Sequence, residues 1–230
     1  MSRALAPGAY LVLDLAVTEA AGHRPGDVAR AAALHGVGTV QVRAKLAAPG
    51  AFVEAVVEVA RGLTGTGAAL VVDDRVDVAL AARSRGARVD GVHLGQHDLP
   101  AADARALLGS DALIGLSAAR PDDVRRALTD PAVDYLGVGP VRLTSTKPDA
   151  TVAVGFDRVR DVSADARAAG RPVVAIGGLG AEDAGVVRAA GAHALAVVSA
   201  VCAHPDPGAA AAALVTAWWQ PATHLVAVAR

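Results

Sequence analysis

The chain has 230 residues, 53% hydrophobic and 20% charged, so it can bury a substantial core, which excludes fibres, minimal disulfide scaffolds and intrinsic disorder. Its formal net charge is -1, from 22 basic and 23 acidic residues, which leaves no overall field for nucleic acid or an anionic membrane, so any polyanion site is local. The single cysteine, Cys202, cannot form an internal disulfide and no Cys/His spacing matches a zinc site, so the expected compartment is the reducing cytoplasm.

The N-terminal apolar stretch is broken by Pro7, Gly8 and Asp14 and lacks the continuous core of a signal peptide; it reads as a first strand, Tyr10 to Asp14. Further β-type runs follow at Thr39 to Arg43, Ala69 to Val72, Gly91 to Leu94, Leu113 to Leu116, Tyr135 to Val138, Val173 to Ile176 and Ala194 to Val198. Helical patterns lie between them. The clearest puts Phe52, Val56, Val59, Ala60 and Leu63 on one face and Glu54, Glu58 and Arg61 on the other. The longest stretch free of Lys, Arg, Asp and Glu, Pro207 to Ala229, is rich in alanine and interrupted by Gln220, Pro221 and His224. It suits a core-packed last helix and a tail better than a membrane span. No Ser/Gly linker or charge block marks a boundary, so a single domain over 1–219 with a tail over 220–230 is expected. Continuous apolar strands, each followed by a helix, imply a parallel sheet covered by helices, and eight such units imply a closed (β/α)8 barrel of the α/β class. The alternative is an open doubly wound sheet, but no GxGxxG follows the first strand.

In such a barrel the active site lies at the C-terminal ends of the strands. Those ends are polar here. Gln41, Arg43 and Lys45 close strand two, Asp73 and Asp74 strand three, Gln96, His97 and Asp98 strand four, and Ser117 strand five. Strand six opens into Thr144, Ser145, Thr146 and Lys147, in a loop from Gly139 to Val154 long enough to close over a leaving group. The chain has no asparagine and only two lysines against twenty arginines, and both lysines fall on this rim. The remaining turns, Ile176-Gly177-Gly178-Leu179 and Val198-Ser199-Ala200, each precede a helix, where free N–H groups and the helix dipole favour a phosphate; a glycine turn that only reverses the chain is the alternative. Asp74 and Asp98 lie on adjacent loops, and two carboxylates with waters and phosphate oxygens make the oxygen-only surroundings of Mg2+. Arg43, Lys45 and Lys147 add positive charge, so the rim suits a pyrophosphate whose departure cations assist. Asp103 and Asp122 precede helical patterns and read as N-caps. His93 and His97 span a strand end and read as one strand and one loop histidine, not as a metal pair.

Taken in order, Gln41-Val-Arg-Ala-Lys45, Asp73-Asp74, Gly91-Val-His-Leu-Gly-Gln-His-Asp98, Gly115-Leu-Ser117, Gly137-Val-Gly-Pro140 with Thr144-Ser-Thr-Lys147, Ile176-Gly-Gly178 and Val198-Ser199 resemble the thiamine phosphate synthase family, from Tyr10 to about Trp218. The resemblance implies coupling of hydroxymethylpyrimidine pyrophosphate with a thiazole phosphate, through a pyrimidinylmethyl cation formed as pyrophosphate leaves. It implies that Gln41, Arg43, Lys45, Asp73, Ser117 and Lys147 hold the pyrimidine and its pyrophosphate, with Arg43, Lys45, Ser117 and Lys147 the catalytic set. Asp74 and Asp98 would hold Mg2+, and Thr144, Thr146, Gly178, Val198 and Ser199 the thiazole phosphate. The partners implied are these small molecules, with no nucleic acid or membrane and a homo-oligomer left open.

The chain departs from the family pattern at four places: Asp73 stands where the family has Asn, His97 where Glu is common, Ala119 where His is frequent, and Leu143 where Pro is usual. Asp73 carries the greatest consequence, because an amide can donate to a pyrophosphate whereas an ionised carboxylate only accepts and adds like charge. Arg75 could neutralise it, or Asp73 could join Asp74 as a metal ligand; the second is favoured. Two rival readings are a thiazole tautomerase-like isomerase and a non-catalytic phosphate-ligand binder. A tautomerase has no need of the pyrophosphate-metal rim formed by Arg43, Lys45, Asp74, Asp98 and Lys147.

Overall fold

In the computed structural model, which describes residues 4–144 and 152–220, eight strands run parallel and close into a barrel in sequence order. They are β1 (Gly8–Asp14), β2 (Thr39–Arg43), β3 (Ala69–Asp73), β4 (Gly91–Leu94), β5 (Leu113–Ser117), β6 (Tyr135–Val138), β7 (Val173–Ile176) and β8 (Ala194–Val197). Closure is made by β1 pairing with β8, where Tyr10 lies opposite Ala196. The ring is wrapped by α1 (Leu15–Ala20), α2 (Pro25–Leu34), α3 (Pro49–Gly62), α4 (Val76–Ser84), α5 (Ala101–Leu108), α6 (Pro121–Thr129), α7 (Gly155–Ala168), α8 (Ala184–Ala189), α9 (Ser199–Cys202) and α10 (Pro207–Trp219). This is a (β/α)8 barrel. Among the described residues no helix is long and apolar enough to cross a membrane.

The strands read as unbroken apolar runs because both of their faces are covered. Alternate residues serve two separate cores. Leu11, Leu13, Val40, Val42, Leu70 and Val72 face the helices, while Tyr10, Val12, Val71, Leu113, Tyr135 and Val174 fill the barrel interior. The register keeps the inward set in layers: Val12 lies opposite Gln41 and Asp14 opposite Arg43 across β1 and β2, and Asp73 opposite His93 across β3 and β4. With a period of two, the inward positions that are apolar low in the barrel become Asp14, Gln41, Arg43, Asp73, His93 and Ser117 toward the C-terminal rim.

Helix starts follow local chemistry. Proline occupies the first helical position of α2, α3, α6 and α10, where no N–H is needed, and Asp206 caps α10 by accepting from Ala209 N at 2.9 Å. Asp103 and Asp122 are not caps. Pro100 and Arg120 hold those positions, which moves both aspartates into the first turn, where they complement the helix dipole. On α3 the expected apolar face is buried through Phe52, Val53, Val56, Val57 and Val59, while Glu54 and Glu58 pair outward with Arg85 and Arg24.

Two glycines on neighbouring strands make room for the largest interior side chains. A methyl group added at Gly115 would overlap the Tyr135 ring and His93 Nδ1, and one at Gly137 would come within 2.8 Å of His93 Cε1. Rings packed among strands have little freedom to retreat. Gly115→Ala is therefore expected to cost about 1–3 kcal/mol, the usual penalty of overpacking. Urea denaturation checks this, and an unchanged midpoint would mean that the notch is loose.

Candidate active site

Strands β1 to β5 deliver a continuous band of polar side chains to the C-terminal rim. Asp14, which ends β1, is buried and does two jobs: one oxygen caps α1 by accepting from Val17 N at 3.1 Å, and the other pairs with Arg43 Nη1. Arg43 reaches the next strand as well, with Nε 3.7 Å from Asp73 Oδ2. Gln41 lies two residues below Arg43 on β2 and so faces the same way; its Nε2 donates to Asp73 Oδ1 at 2.7 Å. Lys45, just beyond β2, is 3.9 Å from Asp73 and forms its short ion pair with Asp74.

Asp74 has a φ of +58°, a left-handed conformation that non-glycine residues seldom adopt. It is pinned by its own N–H donating to His93 O at 2.8 Å, and this bend turns the Asp74 carboxylate from the strand toward Lys45. Asp98 lies on the β4 loop, where one carboxylate oxygen accepts from Gly95 N at 2.6 Å.

Burial raises the pKa of Asp73 to about 7; the neighbouring Asp74 charge adds to the rise, and Lys45 and Arg43 oppose it. Burial also pushes Asp98 up, against the stabilising Gly95 N–H, with the Asp74 carboxylate adding to the rise. For Lys45 burial acts downward, but the Asp74 hydrogen bond and the charges of Asp73 and Asp74 carry it above the ordinary lysine value. Arg75 does not neutralise Asp73: its guanidinium pairs with Asp77 at 2.5 and 2.8 Å on the outer surface. The compensation comes from Gln41, Arg43 and Lys45.

Among the described residues four carboxylates, Asp14, Asp73, Asp74 and Asp98, thus stand against two cations, Arg43 and Lys45, a formal excess of two negative charges if all are ionised. Such an excess fits a divalent cation with oxygen ligands. Among the described residues no three acidic, histidine or cysteine side chains converge as a ready-made metal centre. Asp74 and Asp98 would therefore supply part of a shell completed by water and phosphate oxygens.

Behind this cluster a polar row crosses the barrel. Tyr10 and Tyr135 join through their hydroxyls at 3.0 Å, His93 Nδ1 lies 3.1 Å from the Tyr135 hydroxyl, and His93 Nε2 lies 3.0 Å from Ser117 Oγ. Burial raises both phenols above their ordinary pKa, so they stay protonated and serve as hydrogen-bonding groups. Gln96 Nε2 donates to Ser117 O at 2.7 Å and fixes the end of β5.

On the opposite side of the rim the turn after β7 contains two consecutive left-handed glycines, Gly177 at +105° and Gly178 at +64°. The β6 loop lies against it: Val141 N donates to Ile176 O at 2.9 Å and Arg142 N to Gly177 O at 3.0 Å. Val198 and Ser199 follow β8 at the start of α9, one strand further round. Thr144 ends the described part of the β6 loop, whereas Thr146 and Lys147 lie outside the described residues. The fold therefore brings Gln41, Arg43, Lys45, Asp73, Asp74 and Asp98 into one cluster, with Ser117 tied to His93 beside it. It sets Gly178, Val198 and Ser199 on a second arc. Asp14, the partnership of His93 with Ser117, and the pair Arg142–Asp183 escaped the sequence reading. Only strand parity could have suggested the first two, since each lies an even number of residues from interior positions on its own strand.

The thiamine monophosphate synthase family model matches residues 9–201. Thiamine-phosphate synthase of Chloroflexus aurantiacus is 42% identical over 88% of this chain and 88% of its own length, and that of Azorhizobium caulinodans 44% identical over 90% and 92%. The bifunctional thiamine biosynthesis protein ThiM/ThiE of Symbiobacterium thermophilum is 48% identical over 84% of this chain, which spans 38% of that longer protein. Among solved structures, thiamine phosphate pyrophosphorylase from Pyrococcus furiosus superposes with a TM-score of 0.77 at 30% identity, covering 91% of this chain and 94% of that one.

Protonation of Asp73 has a consequence for stability. Its folded pKa of about 7 lies above the ordinary carboxylate value of 3.8, so the folded chain holds this proton more tightly than the unfolded chain. The contribution to stability is complete below about pH 4 and is lost as pH rises through about 7. Asp73→Asn, which cannot ionise, should raise the melting temperature of metal-free protein by about 2–8 °C at pH 8 and by much less at pH 4.5. A pH-independent difference in thermal scans in the presence of a chelator would contradict the assignment.

Proposed function

The chain belongs to the thiamine monophosphate synthase family, and on that premise we propose how its rim residues divide the work of the reaction. The reaction is the synthesis of thiamine phosphate, a transferase step that joins hydroxymethylpyrimidine pyrophosphate to a thiazole phosphate and releases pyrophosphate. Its substrates are small molecules.

Our reading of the site rests on one observation above the rest: Arg43, Lys45, Asp73, Asp74 and Asp98, drawn from the ends of β2 and β3 and the loops after β2, β3 and β4, form one cluster of interacting charges at the barrel mouth. Arg43 and Lys45 would bind the pyrophosphate and offset the charge that develops as its bond to the pyrimidine methylene breaks. The Lys45–Asp74 pair would open on substrate binding, since a phosphate oxygen competes for the same ammonium. Asp74 and Asp98 would hold Mg2+, which when bound supplies further neutralisation of the leaving pyrophosphate. Ser117, oriented by His93, would receive the pyrimidine with Gln41, and Lys147 would act from the β6 loop.

The thiazole phosphate would rest on the second arc, at Gly178, Val198 and Ser199 with Thr144 and Thr146, which leaves the thiazole nitrogen to attack the pyrimidinylmethyl cation. Chemistry of this kind needs positioning and leaving-group stabilisation more than a strong base. Asp73 would act through its neighbours: near pH 7 it exists partly as the neutral acid, which reduces its repulsion of the pyrophosphate while its Oδ1 still accepts from Gln41. The expected compartment is the cytoplasm, in keeping with a single buried cysteine.

Incubation with both substrates and Mg2+ should release pyrophosphate in step with thiamine phosphate formation. Asp98→Ala should remove most of the Mg2+ dependence, and Lys45→Ala should lower kcat/KM by about 10²-fold or more, the scale of losing one electrostatic stabiliser of the transition state. Product formation in the native chain with an intact Mg2+ response in Asp98→Ala would remove that residue from the metal site. Absence of pyrophosphate release in the native chain would favour a non-catalytic phosphate-ligand binder.

A further inference from the structure

Arg142 lies in the loop after β6, at the edge of the rim, and is committed almost entirely to the turn after β7. Its Nη1 donates to Asp183 Oδ2 at 2.7 Å and to Gly178 O at 3.2 Å, and its Nη2 donates to Asp183 Oδ1 at 2.7 Å. Its backbone N–H donates to Gly177 O at 3.0 Å, and its guanidinium lies 5.1 Å from the centre of the Phe156 ring at the start of α7. Asp183 is 4% exposed, and its Oδ2 also accepts from Gly180 N at 3.0 Å. One arginine thus binds the first two carbonyls of the turn and the carboxylate beneath it.

Two physical effects follow from this geometry. In a trans peptide the carbonyl and the following N–H point in opposite directions. With the carbonyls of Gly177 and Gly178 both tied toward Arg142, the next N–H groups, those of Gly178 and Leu179, are turned away from it. Neither N–H makes a hydrogen bond among the described residues. Successive N–H groups presented from one side of a turn form an anion-binding concavity. The second effect is electrostatic: a buried, ionised Asp183 under this turn repels an anion unless it is paired, and the guanidinium fork pairs it at both oxygens.

We propose that Arg142 is a positioning residue for the phosphate of the thiazole substrate, holding the Gly177–Gly180 turn in its anion-receiving form and cancelling the charge of Asp183 beside it. The inference rests on the reading of this turn as the phosphate site. It goes further by assigning phosphate selectivity to a pair of side chains that do not themselves touch the substrate. Arginine suits the position because only its planar fork can engage a carboxylate at both oxygens while a third bond reaches Gly178 O.

The test is calorimetric titration of the thiazole phosphate and of its dephosphorylated alcohol into the native chain, Arg142→Ala, Arg142→Lys and the double variant Arg142→Ala/Asp183→Asn, together with KM for both substrates. The native chain should prefer the phosphate. Arg142→Ala should weaken phosphate binding by about tenfold or more while leaving the alcohol and the KM for the pyrimidine pyrophosphate within about twofold, because the loss is confined to one charge pair whose carboxylate is buried. The double variant should regain part of the preference, since it removes the uncompensated carboxylate. If Arg142→Ala fails to fold, Arg142→Lys keeps the charge without the fork and should show a smaller loss of the same selectivity. A native chain that binds both thiazoles alike would overturn the turn as the phosphate site, and the clamp with it. A native chain that prefers the phosphate while Arg142→Ala keeps that preference, or loses both ligands and both substrates equally, would overturn the clamp alone.

Discussion

A carboxylate taken out of water at the mouth of a barrel must be compensated locally, and the upper layer of this protein is organised around that requirement. Asp73 ends β3 in a buried position, linked to Asp14 on β1 through Arg43 and followed at once by Asp74. Desolvating one such group costs several kcal/mol unless partners repay it. Gln41, Arg43 and Lys45 are spaced by two along and just beyond β2, so each presents its polar end to β3 at a different height. The Asp14–Arg43 pair extends the same compensation to β1, where Asp14 also starts α1. The groups proposed to bind substrate are therefore among those that compensate the buried charge of the fold.

The compensation is incomplete. Asp73 keeps a pKa near 7, Asp98 is raised, and Asp74 is held in a left-handed conformation. A site with surplus negative charge and a strained carboxylate is less stable than a fully paired one, and on the proposed reading that deficit would become affinity for a cation bound with a polyphosphate. The second arc solves the opposite problem. There a single buried carboxylate, Asp183, is paired at both oxygens by Arg142, and on the proposed reading the turn above it would present backbone donors to an anion. On that reading one rim would carry a side that gains from added positive charge and a side that receives negative charge, as the union of a pyrophosphate ester with a phosphate ester requires.

Beneath both arcs the interior is shaped by subtraction. Gly115 and Gly137 leave a notch into which His93 and Tyr135 fit, and the hydroxyl row from Tyr10 to Ser117 depends on those two missing side chains. The same row satisfies the buried phenols, which could not lie among Val12, Val71 and Val174 without partners.

The sequence by itself determined the eight strands, the parallel barrel and the rim, because strand length, apolar runs and the position of polar residues at strand ends are local properties of the chain. Thr39–Arg43, Gly91–Leu94, Tyr135–Val138 and Val173–Ile176 begin and end where the pattern places them, and the spacing of Gln41, Arg43 and Lys45 already implies one face. What the tertiary structure alone decided was partnership. That Arg75 turns outward to Asp77, that Arg43 divides itself between Asp14 and Asp73, that His93 reaches Ser117 past two glycines and that Arg142 crosses to Asp183 are contacts between residues 2 to 41 positions apart. Most of them depend on barrel closure and stagger. Residue type and spacing fix which way a side chain leaves its own strand, but the partner it meets is set by the register of the neighbouring strand, and that register is a property of the closed sheet.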